Sequence, residues 1–233
     1  MSSLFLVATP IGNLKDITAR AVDTLKSVDV VAAEDTRVAG KLLHALGIEK
    51  PLLSYHQHTT SARAEQIFTR LEKGEDVALV TDAGTPGISD PGGKLVSGVV
   101  ARFGSRVTIV PIPGPCALVA ALCVCGFPSD EFVFLGFPPH KKGRNKFFDR
   151  LPTIASTIVF YESTHRIMKT LAAIDAVCPA RAMTVCRELT KLYETIYRGT
   201  ASQVTDQVKA SSMKGEFVVV LCPSSTSPPP SII

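Results

Sequence analysis

The chain has 233 residues, 45% of them apolar and 20% charged, with a net charge of +4, a balance that supports ordinary cores in one large or two modest domains and excludes a disordered chain. Its longest apolar stretch, residues 117–127, is too short to span a bilayer, and residues 1–10 lack the basic start and long apolar segment of a secretory leader, so a cytoplasmic protein with no membrane association is expected. Six cysteines without a Cys-x-x-Cys pair point to neither a zinc cluster nor a disulfide framework, and no metal is expected.

Residues 4–8 form the first apolar run and read as a buried strand, followed by Thr9-Pro10-Ile11-Gly12-Asn13-Leu14. Thr18 is placed to cap a helix that reaches Val28, with Ala21, Val22, Leu25 and Val28 on one face. Residues 28–33 form the second run and lead into Glu34-Asp35-Thr36-Arg37. Residues 77–80 form the third and residues 107–112 the fourth, which leads into Pro113-Gly114-Pro115-Cys116-Ala117. Strands alternating with helical patterns predict an α/β domain with a parallel sheet over residues 1–127.

The loop after residues 77–80 is the most informative segment. Thr81-Asp82-Ala83-Gly84-Thr85-Pro86-Gly87-Ile88-Ser89-Asp90-Pro91-Gly92 is too rich in Gly, Pro and Asp to continue the strand, and its acids and glycines offer polar contacts and close backbone approach to a ligand. Parallel strands bring their carboxyl ends to one sheet edge, so all four loops should converge there. No Gly-x-Gly-x-x-Gly follows the first strand and no Gly-Lys-Ser/Thr occurs, which argues against a Rossmann dehydrogenase and a P-loop enzyme.

Pro128, Pro138 and Pro139 break the pattern, and a second α/β domain is expected over residues 128–223. It reads as strands at 132–137, 157–161, 183–187, 194–198 and 216–221 with a helix over 165–177; the strands lie close enough together for antiparallel pairs. Lys141, Lys142, Arg144 and Lys146 place four cations within seven residues, either a solvated linker or a phosphate-binding patch. Residues 224–233 are rich in Ser and Pro and are expected to be disordered.

Six segments occur together in order: Pro10-Ile11-Gly12-Asn13-Leu14, Ala33-Glu34-Asp35-Thr36-Arg37, Asp82-Ala83-Gly84-Thr85-Pro86, Pro113-Gly114-Pro115-Cys116-Ala117, Phe160-Tyr161-Glu162-Ser163-Thr164-His165-Arg166 and Arg187-Glu188-Leu189-Thr190-Lys191. Through them residues 4–221 resemble the bacterial methyltransferases that modify the ribose 2′-oxygen of a cytidine in small-subunit ribosomal RNA, a branch of the tetrapyrrole (corrin and porphyrin) methylase superfamily. The resemblance implies two α/β domains with S-adenosylmethionine in the cleft between them, and a homodimer. It assigns Pro10 and Gly12 to the floor of the donor site, Asp82, Ala83, Gly84, Thr85 and Pro86 to the amino-acid end and ribose, and Pro113, Gly114, Pro115, Cys116 and Ala117 to the adenine side. Tyr161, Glu188, Leu189 and Gly215 would close the site, while Lys141, Lys142, Arg144 and Lys146 would hold ribosomal RNA. Family members often carry a further small helical segment at the C-terminus, where this chain has its Pro-rich tail.

The sulfonium of such a donor already activates the methyl group, so the protein must align the reactants and help remove a hydroxyl proton. Glu34, Asp35, Asp90, His165 and Lys191 are the candidates, with the acids of residues 34–37 favoured for orienting the ribose. Each has a plainer role available. Asp35 or Thr36 can cap the next helix, Arg37 can pair with the neighbouring acids or hold a phosphate, His165 can be a surface residue, and Lys191 can pair with Glu194. His56 and His58 form at most a weak metal pair. A small-molecule methylase on the same fold and a non-catalytic RNA-binding module are the competing functions.

Overall fold

The computed structural model of the chain describes residues 1–56 and 61–224. It divides into two units, the first from Met1 to Cys116 and the second beginning at Ala117.

The first unit runs β1 (Ser2–Val7), α1 (Ala19–Ser27), β2 (Val30–Ala33), α2 (Thr36–Ala45), β3 (Leu52–Ser54), α3 (Ser61–Glu72), β4 (Val77–Val80), α4 (Gly92–Phe103) and β5 (Val107–Ile112). Its sheet is wholly parallel in the order β3-β2-β4-β1-β5, with Leu4 opposite Val77 and Ser2 opposite Val107. Neighbouring residues of one strand serve opposite faces. Val30, Ala32, Val77 and Leu79 pack with Ile67, Leu71, Leu95 and Val99, whereas Val31, Ala33, Ala78 and Val80 pack with Ala21, Leu25, Ala39 and Leu43. Helices on both faces bury β2 and β4 completely, the reason these strands read as unbroken apolar runs. Thr18 caps α1 as expected, its side chain accepting from the Ala21 N–H, and Asp35 caps α2 by accepting from Arg37. The short, half-buried β3 carries too few residues to show a period and was not legible in the sequence.

The second unit runs α5 (Ala117–Cys125), β6 (Phe132–Phe134), α6 (Arg144–Asp149), β7 (Thr157–Ser163), α7 (Ile167–Val177), β8 (Met183–Arg187), β9 (Thr195–Gly199), α8 (Ala201–Ala210) and β10 (Glu216–Leu221). The sheet order is β6-β7-β10-β8-β9. β10 is antiparallel to both β7 and β8, β8 is antiparallel to β9, and β6 alone is parallel to its neighbour.

The division lies before α5 rather than after residue 127. α5 packs on β7, β8 and β10, and its end is tied there by the Thr184 hydroxyl on the Cys125 carbonyl at 3.3 Å and by Arg198 on the Val124 carbonyl at 2.6 Å. Its sequence, ALVAALCVC, is apolar all round and therefore carries no stripe to say which core it faces. β6 stops at Phe134 instead of residue 137 because Gly136, at φ +65°, turns the chain away after its carbonyl accepts from the Tyr161 N–H. The expected disordered tail, from residue 225 onward, lies outside the described residues. Among the described residues no helix is long and apolar enough to cross a membrane.

Candidate functional site

The four loops of the first unit do converge, joined by one main-chain pair and by side-chain bonds that mostly reach main-chain groups. Thr9 donates its N–H to the Gly84 carbonyl at 2.9 Å and accepts from the Gly84 N–H at 3.1 Å, while its hydroxyl donates to the Thr81 carbonyl at 3.2 Å. The Thr85 hydroxyl donates to the Pro115 carbonyl at 3.0 Å, which brings in the loop after β5. The Asp35 N–H donates to Asp82 Oδ1 at 3.0 Å and the Thr81 hydroxyl to Glu34 Oε2 at 3.4 Å, which brings in the loop after β2. Gly84 adopts φ +87°, and a Cβ there would lie 3.4 Å from Ile11 and 3.7 Å from the Pro115 carbonyl.

Asp90 holds the far half of the long loop. Its carboxylate accepts from the N–H groups of Gly87 at 2.8 and 2.9 Å and of Gly92 at 2.7 Å. A Cβ on Gly92 would come within 2.8 Å of the Gly87 nitrogen, so this turn requires glycine. Asp90 therefore acts as loop scaffold rather than as an open acid. Beside Asp82 a cavity of about 220 Å³ is lined by Thr9, Pro10, Gly12, Leu14, Val38, Ala39, Leu42 and Thr81. Polar groups at one end and an apolar helix face at the other suit an amphipathic ligand. Among the remaining donor candidates of this unit, Pro86 is buried, Pro115 and Cys116 are half-buried, and Ala83, Pro113 and Gly114 are exposed.

The acids of residues 34–37 differ sharply. Burial, followed by the charges of Asp82 and Asp90, raises the pKa of Glu34 above the ordinary carboxylate value. Asp35 goes the other way: the side-chain hydrogen bonds of Arg37, at 2.6 and 3.0 Å, hold it well below that value. Asp35 is thus both helix cap and ion-pair partner, and Arg37 keeps an exposed guanidinium at the mouth of the loops.

In the second unit Gly215 lies against Glu188, the residue before Leu189. Glu188 sits at φ +53° and Thr190 at φ +68°, and Gly215, at φ +131°, leaves room for the Glu188 side chain, whose Cγ a Cβ there would approach to 2.7 Å. Positive φ at two non-glycine residues marks a strained turn of the kind found at ligand sites. The Thr190 Oγ1 within it is buried without a hydrogen-bond partner. The Glu194 N–H donates to the Lys191 carbonyl at 3.1 Å, but the two side chains take other partners. Glu194 accepts instead from the Thr190 N–H at 2.6 Å, and Lys191 donates to Glu188 at 2.9 Å and Glu216 at 2.8 Å. Burial pulls the Lys191 pKa down, but the hydrogen bonds to Glu216 and Glu188 outweigh it and keep the ammonium charged, which removes Lys191 from the candidate bases. Tyr161 stacks edgewise on Phe134, with ring centres 5.0 Å apart, and lies 5.3 Å from Phe137. His165 is exposed in the turn before α7, outside the helix it was expected to open. His56 is half-buried, and His58 lies outside the described residues.

Lys141, Lys142 and Lys146 are exposed, but Arg144 is not part of that surface. Its guanidinium turns inward, donating to the Thr170 hydroxyl at 2.7 Å and lying 3.7 Å from Glu162. Glu162, with no side-chain exposure, was not among the candidates; a local signal for it is Arg166 four residues later, which meets it at 2.8 Å.

A family model described as Tetrapyrrole (Corrin/Porphyrin) Methylases matches residues 3–205. Proteins named ribosomal RNA small subunit methyltransferase I are similar over nearly the whole chain: that of Synechocystis is 44% identical, covering 99% of this chain and 82% of its own, and that of Bacillus subtilis is 45% identical, covering 95% and 75%. The solved structure of the methyltransferase CobJ superposes with a TM-score of 0.68 at 18% identity over 98% of this chain and 96% of that one. The uroporphyrin-III-C-methyltransferase of Thermus thermophilus gives 0.64 at 17% identity over 94% of each chain. With the family model matching residues 3–205 and these relatives 44–45% identical over nearly all of it, the chain belongs to the tetrapyrrole (corrin/porphyrin) methylases.

Proposed function

We propose that the chain is an S-adenosylmethionine-dependent methyltransferase of small-subunit ribosomal RNA whose acceptor is the ribose 2′-oxygen of a cytidine. The observation that carries this reading is identity of 44–45% with proteins named ribosomal RNA small subunit methyltransferase I across 95–99% of the chain.

The residues present fit the donor. Gly84, at φ +87°, lets the loop after β4 run close to the loops after β1 and β5, and Thr190 Oγ1 is a buried polar atom without a hydrogen-bond partner. The 220 Å³ cavity beside Asp82 falls below the roughly 300 Å³ at which whole small-molecule sites begin, so it accommodates one end of such a ligand. In this reading Pro10, Gly12, Asp82 to Pro86, Pro113 to Ala117, Tyr161, Glu188, Leu189 and Gly215 are the residues that hold the donor. When bound, S-adenosylmethionine supplies a methyl group already activated by its sulfonium charge.

What remains for the protein is to orient a ribose hydroxyl and draw off its proton. Asp35 is held low by Arg37, Asp90 is committed to the loop and Lys191 is held charged. Among the carboxylates Glu34 remains, and its raised pKa makes it a better proton acceptor than an ordinary carboxylate. Lys141, Lys142 and Lys146, with Arg37, supply charge for RNA phosphates. A cytoplasmic location and a homodimer belong to the same reading; light scattering of the purified chain tests the latter.

The decisive experiment incubates the protein with methyl-labelled donor and small ribosomal subunits and maps the labelled nucleoside. Label on a cytidine ribose supports the reading. Donor binding by calorimetry without transfer to RNA would point to a small-molecule methylase, and absence of donor binding to a non-catalytic module.

A further inference from the structure

We propose that Glu162, acting through Arg144 and Arg166, positions the lysine-bearing segment 138–146 for RNA phosphates. This rests on the reading of Lys141, Lys142 and Lys146 as RNA contacts. Glu162 is the sixth residue of β7, and its carboxylate is fully buried. Oε1 accepts from the Ser163 N–H at 2.8 Å and lies 2.8 Å from Arg166 Nε; Oε2 accepts from the Thr170 hydroxyl at 2.5 Å and lies 3.7 Å from Arg144 Nη2. A carboxylate so placed compensates two guanidinium groups that are themselves only 14% and 17% exposed.

Each arginine has a further arm, and both arms reach the same piece of chain. Arg166 Nη1 donates to the Pro138 carbonyl at 2.8 Å and Arg144 Nη1 to the Pro139 carbonyl at 3.3 Å. Two successive prolines have no N–H to pair with the sheet, so their carbonyls are the available handles, and the planar fork of arginine fits that task. On the far side the Arg144 N–H donates to the Lys141 carbonyl at 3.2 Å, Gly143 turns the chain into α6 at φ +86°, and the Phe148 ring lies 5.0 Å beneath the Arg144 guanidinium. The exposed Lys141 and Lys142 therefore stand on a loop tied at both ends to one buried charge cluster. A loop ordered before RNA arrives avoids the entropic cost of ordering it on binding.

The test compares three variants with the wild-type protein: Glu162→Gln, Arg166→Lys and the triple change Lys141→Gln, Lys142→Gln, Lys146→Gln. Arg166→Lys keeps the charge but loses the fork, and it carries the test if Glu162→Gln does not fold. The two cluster variants should lower small-subunit affinity about tenfold, the scale of re-ordering a few side chains, and speed tryptic cleavage after Lys141 and Lys142. Their dependence on salt should match the wild type, since the lysines remain, and donor affinity should hold. The triple variant should instead flatten the salt dependence by about two units of log–log slope. Faster cleavage in Arg166→Lys with unchanged RNA affinity, while the triple variant does flatten the slope, would overturn the positioning role. A triple variant with wild-type slope would overturn the RNA reading of the lysines itself.

Discussion

In the first unit the converging loops are tied by bonds that each use a main-chain group on at least one side, Thr9 with Gly84, Thr85 with Pro115 and Asp82 with the Asp35 N–H, whereas in the second the basic loop hangs from side chains, two arginines around one buried glutamate. The contrast follows from the sheets. Parallel strands deliver their carboxyl ends to one edge, where Gly- and Pro-rich loops come close enough for main-chain groups to be bonded across them. In the mixed second sheet, the proline-bearing chain after β6 runs away from its strand and needs long side chains to hold it. The first arrangement tolerates most side-chain changes but not a lost glycine. The second is vulnerable at a single charge.

The sharpest way to break this comparison is Glu162→Ala, which leaves Arg144 and Arg166 buried without their counter-charge and should cost about 3–5 kcal/mol, read from the denaturant midpoint. A loss under about 1 kcal/mol would mean that water replaces the carboxylate and that the cluster is not the anchor of its loop.

Next in size is Glu34→Gln, expected to lower turnover by about a hundredfold or more with donor affinity unchanged. Because the folded-state pKa of Glu34 lies above its unfolded value, ionisation works against folding: its contribution is intact below the unfolded value near 4.5 and is lost as pH rises through the folded value. Glu34→Gln should therefore raise the thermal midpoint at pH 7 and leave it unchanged at pH 4. Turnover of the unsubstituted enzyme should climb as Glu34 deprotonates, on an acid limb above 4.5. Equal losses of donor binding and turnover would move Glu34 into the donor site.

Gly92→Ala tests the backbone half of the comparison. The Cβ would press on the Gly87 nitrogen and Asp90 and should cost about 1–3 kcal/mol while weakening donor binding. Gly93→Ala, with nothing within 4 Å of its Cβ, should be neutral or stabilise by up to about 1 kcal/mol. Similar behaviour of the two would show that the Asp90 turn yields easily.

The smallest effect concerns the thiols. Burial pushes Cys186 up to about 12 and raises Cys125, so alkylation at neutral pH should label the exposed Cys123 and half-buried Cys116 first, by mass spectrometry, and leave stability unchanged. Labelling confined to Cys123 should leave activity intact.

Much of the first unit was legible because its signals are local. Buried parallel strands announce themselves as VVAA and VALV, the caps Thr18 and Asp35 stand just ahead of their helices, and the loop of residues 81–92 carries glycines and acids that no strand would hold. The gathering of four loops followed from strand direction alone. The second unit hid its decisive features. α5 is apolar all round and so did not declare its core, Arg144 sits among lysines but faces inward, and Lys191 passes over nearby Glu194 for Glu216, twenty-five residues away.

By itself, then, the sequence determined the α/β class, most strand positions, the loops that gather at one sheet edge and the family, since periodicity, capping and turn chemistry act over a few residues. The tertiary structure alone decided the orders β3-β2-β4-β1-β5 and β6-β7-β10-β8-β9, the allegiance of α5 and the pairing of Glu162 with Arg144. A buried charge takes whichever partner the fold brings within a few ångströms, and the distance along the chain does not limit that choice.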